Sequence, residues 1–226
     1  MKTWVKQLAP SILVCMMAAH ANAASFNTEL LINGGAEAGD TSGWLTTGID
    51  AVSSALALSS PPGVSIGSFS FTGGTGATSQ SLTQTVNVAD LASIIDAGHA
   101  VSSFNVLAQA RILGGAVDSA TGTLRFLNAS NVAIQSHAFL DTLATSGIYD
   151  WEVISLLHTL PTGTRAIEIF LNTTRNAGEY NDGFFDNASL KLANVAPVPV
   201  PGTYSMMLAG LGLLGLTMRR RRTNNA

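Results

Sequence analysis

The residues of this chain that could do chemistry are few, and their spacing argues against catalysis. His99, His137 and His158 stand singly, without the short spacing that lets two imidazoles of one segment share a metal ion. Gly63-Val64-Ser65-Ile66-Gly67 has the letters of a nucleophile elbow. Such an elbow joins a strand to a helix in an α/β sheet, whereas here Pro61-Pro62 precede it and the flanks have strand and loop character. Asp150 and Glu152 stand two apart and so share one face of a strand, too common a pattern to mark a glycosidase pair. A secreted hydrolase is therefore the least supported reading. The run from Arg175 to Gly183 differs, because it sets Arg175, Asn176, Glu179 and Tyr180 beside glycines between two strand-like segments. Loops on a rigid scaffold are where binding groups concentrate. This one is the expected ligand-facing surface.

The elements that must position these groups read as strands. Alternation with period two, broken by Gly, Ser, Thr, Asn and Asp, predicts strands at Glu29–Asn33, Ala51–Ser59, Ser79–Val88, Ala100–Leu113, Gly122–Leu127, Val132–Phe139, Asp150–Leu160, Ala166–Asn172 and Phe184–Leu192. Many short strands between turn signals argue for an all-β fold, an antiparallel sandwich. Asp90 to Ala97 is expected to form one short helical turn capped by Asp90. Gly73-Gly74-Thr75-Gly76 reads as a flexible connection. Trp44 and Trp151 are expected in the core.

Both ends of the chain read as addresses rather than fold. Lys2 and Lys6, the apolar run Leu8 to Ala19 and the small-x-small Ala21-Asn22-Ala23 make residues 1–23 a signal peptide. The single cysteine, Cys15, lies within that segment, so the exported chain has no thiol chemistry. At the other end, residues 195–226 hold a Pro-rich spacer with Pro199, Val200 and Pro201, an uncharged run from Tyr204 to Met218, and Arg219, Arg220, Arg221 and Arg222. The Arg cluster stays on the cytoplasmic side of the inner membrane by the positive-inside bias. An apolar run of 15 residues, at ~1.5 Å rise each, falls short of a ~30 Å hydrocarbon core. It suits transient membrane retention better than the alternative of a plain C-terminal anchor.

Between these ends lies a body of residues 24–194, long enough for one domain. Fourteen acidic residues against five basic ones give it a formal charge of −9, masked in the whole-chain value of −3 by the basic ends. Such a surface repels nucleic acid.

Two family resemblances rest on these residues. The tail from about 197 to 222 resembles the PEP-CTERM signal, in which Val-Pro-Glu-Pro precedes an apolar helix and an Arg cluster; Val200 stands where that pattern has Glu. The resemblance implies an exosortase partner, passage through the inner membrane, and delivery to the cell surface or the extracellular matrix. In the body, Leu31-Ile32-Asn33-Gly34-Gly35-Ala36-Glu37 followed by Gly43-Trp44, and Phe184-Phe185-Asp186-Asn187-Ala188-Ser189-Leu190 near the end, resemble carbohydrate-binding modules of the galactose-binding-like, jelly-roll type. That resemblance implies a single jelly-roll β-sandwich whose first and last strands lie close together. Glu37 and Asp186, with Asp40 or Asn33 adding an oxygen, would then hold a structural calcium, a cation that accepts 6–8 oxygen ligands in irregular geometry. The competing reading makes Asn33, Asp40 and Asp186 turn residues that bond their own backbone. The expected function is that of a surface or biofilm-matrix component binding exopolysaccharide, against a purely structural surface protein without a glycan ligand.

Overall fold

A computed structural model describes residues 24–53, 65–110, 112–113, 116–140, 151–195 and 211. The chain divides into two units, Met1–Asn194 and Val195–Ala226. Both terminal signals lie outside the described residues, apart from Val195 and Leu211. Among the described residues no helix is long and apolar enough to cross a membrane.

Twelve strands are described: β1 Leu45–Thr46, β2 Asp50–Ser53, β3 Phe69–Gly74, β4 Ser79–Asn87, β5 Ala100–Ala110, β6 Ile112–Leu113, β7 Ala116–Val117, β8 Ser119–Leu127, β9 Ala133–Leu140, β10 Glu152–Thr159, β11 Ala166–Thr174 and β12 Asn181–Asn194. They form two five-stranded antiparallel sheets, β1-β4-β11-β8-β9 and β10-β5-β12-β3-β2, with β6 and β7 as a small separate hairpin. The sheets face one another through the side chains that β8 and β11 bury at alternate positions. Along β8, Ala120, Leu124 and Phe126 turn inward while Thr121, Thr123 and Arg125 turn outward. Inward residues of both sheets, including Phe71, Phe104, Phe126, Ile167, Ile169, Leu171 and Phe185, make one apolar core. Among the described residues, every residue of that core lies between Ala24 and Leu192. Trp44 and Trp151 are both buried, as expected.

Some local expectations are corrected. Glu29–Asn33 is not a strand. The Glu29 carboxylate accepts the N–H groups of Leu30 and Leu31 and that of Leu190, so the side chain takes over bonds that a ladder would make. The segment still follows β12, through Asn27 N to Leu192 O at 2.7 Å and Leu30 N to Leu190 O at 3.0 Å. Gly73 and Gly74 are not a free connection but the end of β3, where a side chain at Gly73 would collide with Asn181 and Gln80. β2 ends at Ser53; the rest of that expected strand lies outside the described residues. A 3-10 turn at Ala89–Leu91 and a helix α1 at Ala92–Asp96 form where a helical turn was expected, but Asp90 caps neither. Asn87 Oδ1 accepts Ala89 N–H at 2.8 Å at the start of the 3-10 turn.

Candidate functional site

The two ends of the body meet at a turn. Asn33, Ala36 and Gly39 all adopt positive φ, 51°, 58° and 72°, which folds residues 33 to 39 tightly enough to lay Gly34 against β12. A side chain at Gly34 would collide with the Ala188 carbonyl, and Ala188 N donates to Gly34 O at 2.9 Å. This contact brings Glu37 and Asp186 together. Glu37 Oε1 accepts the N–H groups of Ser68 and Phe69 at 2.9 and 3.0 Å. Asp186 is 1% exposed. Its Oδ1 accepts Asn187 N–H at 2.6 Å, while its Oδ2 is buried without a hydrogen-bond partner. Burial pushes the Asp186 carboxyl up to about 7; the Asn187 N–H opposes the shift and the Glu37 charge adds to it.

A third oxygen joins them. A Cβ placed on Gly35 would stand 3.3 Å from Asn187 Oδ1 and 3.5 Å from Asp186 Oδ1, so both oxygens converge over the bare glycine. Asn187 itself sits at φ 49° and donates to Ser65 O through Nδ2. An all-oxygen cradle with one unsatisfied buried carboxylate oxygen fits a hard cation such as calcium. Among the described residues no group of three or more His, Cys, Asp or Glu gathers. The other two expected ligands serve the turn. Asn33 donates to Asp40 O at 2.8 Å and accepts Ala38 N–H at 3.1 Å. Asp40 accepts Ser42 N–H at 2.9 Å, and the Ser42 hydroxyl and N–H hold its carboxyl below the ordinary value.

The polar loop proves shorter and better anchored than its sequence implies. Asn181, Asp182 and Gly183 belong to β12 and are buried, leaving residues 175–180 as the loop. Asp118, which sequence reasoning missed, pins it: this buried carboxylate accepts Asn176 N–H at 2.7 Å, Ala177 N–H at 3.4 Å and Asp182 N–H at 2.8 Å. Arg175 donates to Glu179 O at 2.7 Å, closing the loop on itself. Tyr180 is 37% exposed and Glu179 is exposed.

A second polar surface was also missed, the outer face of the first sheet. Ladder registers align Leu45, Thr83, Phe170, Thr123 and Ala138 in one row across its five strands. The adjoining row is Thr85, Glu168, Arg125 and Ser136. Arg125 Nη1 meets Glu168 Oε1 at 2.6 Å, and its guanidinium lies 5.3 Å from the centre of the Phe170 ring. On the other side of Phe170, Asn172 accepts from Ser79 at 2.8 Å and donates to Thr174 Oγ1 at 3.0 Å. The signal was present in the period-two order Thr121, Thr123, Arg125 and Glu168, Phe170, Asn172, Thr174. Nothing in one strand says that its outward row continues on its neighbours. The sorting residues Pro199, Val200, Pro201 and Arg219 to Arg222 lie outside the described residues.

Comparison with known proteins adds two findings. Residues 197–222 match the PEP-CTERM protein-sorting motif, which implies export and exosortase-dependent sorting to the cell surface. No curated protein matches the chain. Among solved structures, the chain is similar to the enzymatically active domain of tailspike protein 4 of bacteriophage CBA120, at 17% identity and a TM-score of 0.52, over 73% of this chain and 21% of that one. It thus spans about a fifth of that protein's length. It is also similar to TmCBM61, solved in complex with beta-1,4-galactotriose, at 17% identity and a TM-score of 0.48 over 74% of this chain and 99% of that one. A family 16 carbohydrate-binding module gives 19% identity and a TM-score of 0.48, over 71% and 98%. The tailspike likeness concerns the fold alone, a β-sandwich of two antiparallel sheets.

Proposed function

We propose that this protein is a non-catalytic, exported surface component whose body, a single jelly roll, binds a neutral polysaccharide on the outer face of the first sheet. The observation that carries the reading is the row around Phe170. It combines an aromatic ring, an Arg125–Glu168 pair that cancels its own charge, and hydroxyl and amide groups already ordered by mutual hydrogen bonds. Preorganised groups of this kind lose less entropy on binding. The face is neutral on a body of formal charge −9, and long-range repulsion from that body works against a polyanionic chain. The loop 175–180 follows β11 directly and supplies the rim, with Tyr180 as its aromatic member.

Affinity electrophoresis through gels cast with the host's own exopolysaccharide, and with a neutral and a polyanionic polysaccharide, tests this. Phe170→Ala is expected to weaken retention about tenfold, roughly 1.4 kcal/mol. Thr83→Val, which removes a hydroxyl at nearly constant volume, is expected to weaken it by a smaller factor. Retention of the intact body by none of the three polymers would favour the structural surface protein without a glycan ligand.

In the same reading residues 1–23 are removed as a signal peptide, and the tail is held in the inner membrane until an exosortase cleaves near Pro199 to Thr203. Mass spectrometry of surface material should find a body that begins at Ala24 and ends in that stretch. Full-length protein in the inner membrane, unchanged when the exosortase is deleted, would show a plain anchor instead. Calcium joining Glu37, Asp186 and Asn187 would tie the ends of the body together, a structural role.

A further inference from the structure

The histidines that stand singly in the sequence do not all stand singly in the fold. β8 and β5 face each other across the core. Their outer neighbours β9 and β10 therefore lie along the same open side of the sandwich. His137 on β9 pairs in register with Leu124, and His158 on β10 with Ser102, both inward positions. The two imidazoles meet across the gap between the sheets, their centroids 3.4 Å apart and their planes 15° from parallel. Phe126 closes the stack from inside, edge-on to both rings at 5.9 and 6.5 Å. Nε2 of each ring is buried and has no hydrogen-bond partner.

This is not a metal site. Nearly parallel rings direct their in-plane nitrogen lone pairs side by side rather than at a common point, and no third ligand gathers there among the described residues. Nor is it an ion pair. β5 carries no ionisable residue, and β9 carries none besides His137. The one charge of β8, Arg125, lies on the outer face and is bound to Glu168. Glu152 is six residues from His158 along β10. At the end of β5 nearer His158, His99 precedes Ala100, and Asp96 is held by Arg165 at 2.7 Å and by Gly163 N–H at 2.9 Å.

We propose that the His137–His158 stack is an acid-sensitive latch: neutral, it closes the two sheets along their β9/β10 edge, and protonation of His158 opens that edge. A charge placed there is desolvated, faces another imidazole, and finds no carboxylate among the described residues. The titration agrees in direction. Burial holds His158 below the ordinary value and His137 adds to the shift. A depressed imidazole pKa means that the open chain binds the proton more readily. The closing contribution is therefore complete above the ordinary value of about 6.5 and is lost as pH falls from there through the folded value.

Hydrogen exchange of the body, read peptide by peptide and corrected for intrinsic rates, tests the latch between about pH 7.5 and about pH 5, where histidine changes charge. All measurements use an Asp186→Asn background, which removes the carboxyl that burial pushes up to about 7. Protection of β9 and β10 should fall about tenfold for each unit by which the pKa is depressed, while β11 and β12 keep theirs. His137→Gln/His158→Gln should abolish the pH dependence, and His99→Gln should leave it in place. His158→Phe keeps a stacking ring without a titratable nitrogen. It should hold the edge closed at both pH values if the double variant folds poorly. Equal loss of protection in all strands, or an unchanged pH dependence in His158→Phe, would overturn the proposal.

Discussion

Asp118 and Asp186 are both buried aspartates, 4% and 1% exposed, each placed where β12 is tied to a distant segment. Their surroundings differ. Asp118 spends both oxygens on three backbone N–H groups and so neutralises its own burial. Asp186 has one such bond, a second carboxylate as neighbour, and one oxygen with nothing to accept. Burial alone therefore does not mark a site. A carboxylate that the backbone has solvated is architecture, and one left unsolvated in a rigid cradle is a place where the fold gains from a bound cation.

The largest effect expected from this contrast is on stability. Asp118→Ala removes the acceptor of three backbone N–H groups at once, and at roughly 1 kcal/mol for each hydrogen bond lost the body should lose about 3 kcal/mol. For a domain of this size that lowers the melting temperature by roughly 6–12 °C. Asp118→Asn, which keeps one acceptor oxygen, should fall between the two. A loss below about 1 kcal/mol would mean that the Arg175 N–H bond to Thr78 O carries the loop instead, and the contrast would dissolve.

Asp186 should behave in the opposite sense. Without metal, Asp186→Asn should raise the melting temperature, because it removes an uncompensated charge and leaves the Asn187 N–H an acceptor. Its pKa of about 7 is raised above the ordinary value. The metal-free body should therefore gain stability from this group as pH falls from about 7 toward the ordinary carboxylate range, and lose it as pH rises through 7. The difference between parent and Asp186→Asn isolates that trend from His158, which works in the other direction. With calcium at a hundredfold excess over Kd, the parent should gain about 2.7 kcal/mol, and Asp186→Asn and Glu37→Gln should gain much less. Melting curves that ignore calcium in all three would leave Asp186 a strained carboxyl with no cation to hold.

Much of this fold could be read along the chain because strands announce themselves locally. Ser79–Asn87, Ala133–Leu140 and Glu152–Thr159 follow their alternation to within about a residue or two of the expected limits. The approach of Glu37 to Asp186 is what the family resemblance of the turn and the closing strand implies. What escaped depends on pairing between segments far apart. Asp118 looks like any turn aspartate until Asn176 and Asp182 are brought to it, and His137 and His158 are 21 positions apart until two edge strands align. The Glu29 segment failed as a strand for a local reason, a side chain able to bond its own neighbours, which composition alone does not reveal.

The smallest expected effect compares the loop that Asp118 holds with the face that β11 presents. Tyr180 has little core to lose: a side chain on Gly74 would come no nearer its ring than 3.8 Å, and the residue is 37% exposed. Tyr180→Ala should therefore change stability by no more than about 0.5 kcal/mol. As a rim residue it should weaken polysaccharide retention by about two- to fivefold, against about tenfold for Phe170→Ala, a difference of well under 1.4 kcal/mol. The order of the two effects is the informative quantity. If Tyr180→Ala costs more retention than Phe170→Ala while both melt normally, the loop is the primary contact and the sheet face its extension. Asp118 would then be the residue that positions the binding loop, and Asp118→Asn should reduce retention by more than its loss of stability accounts for. If the order is as expected, Asp118 holds only the rim, and its variants should lose stability well before they lose the polymer.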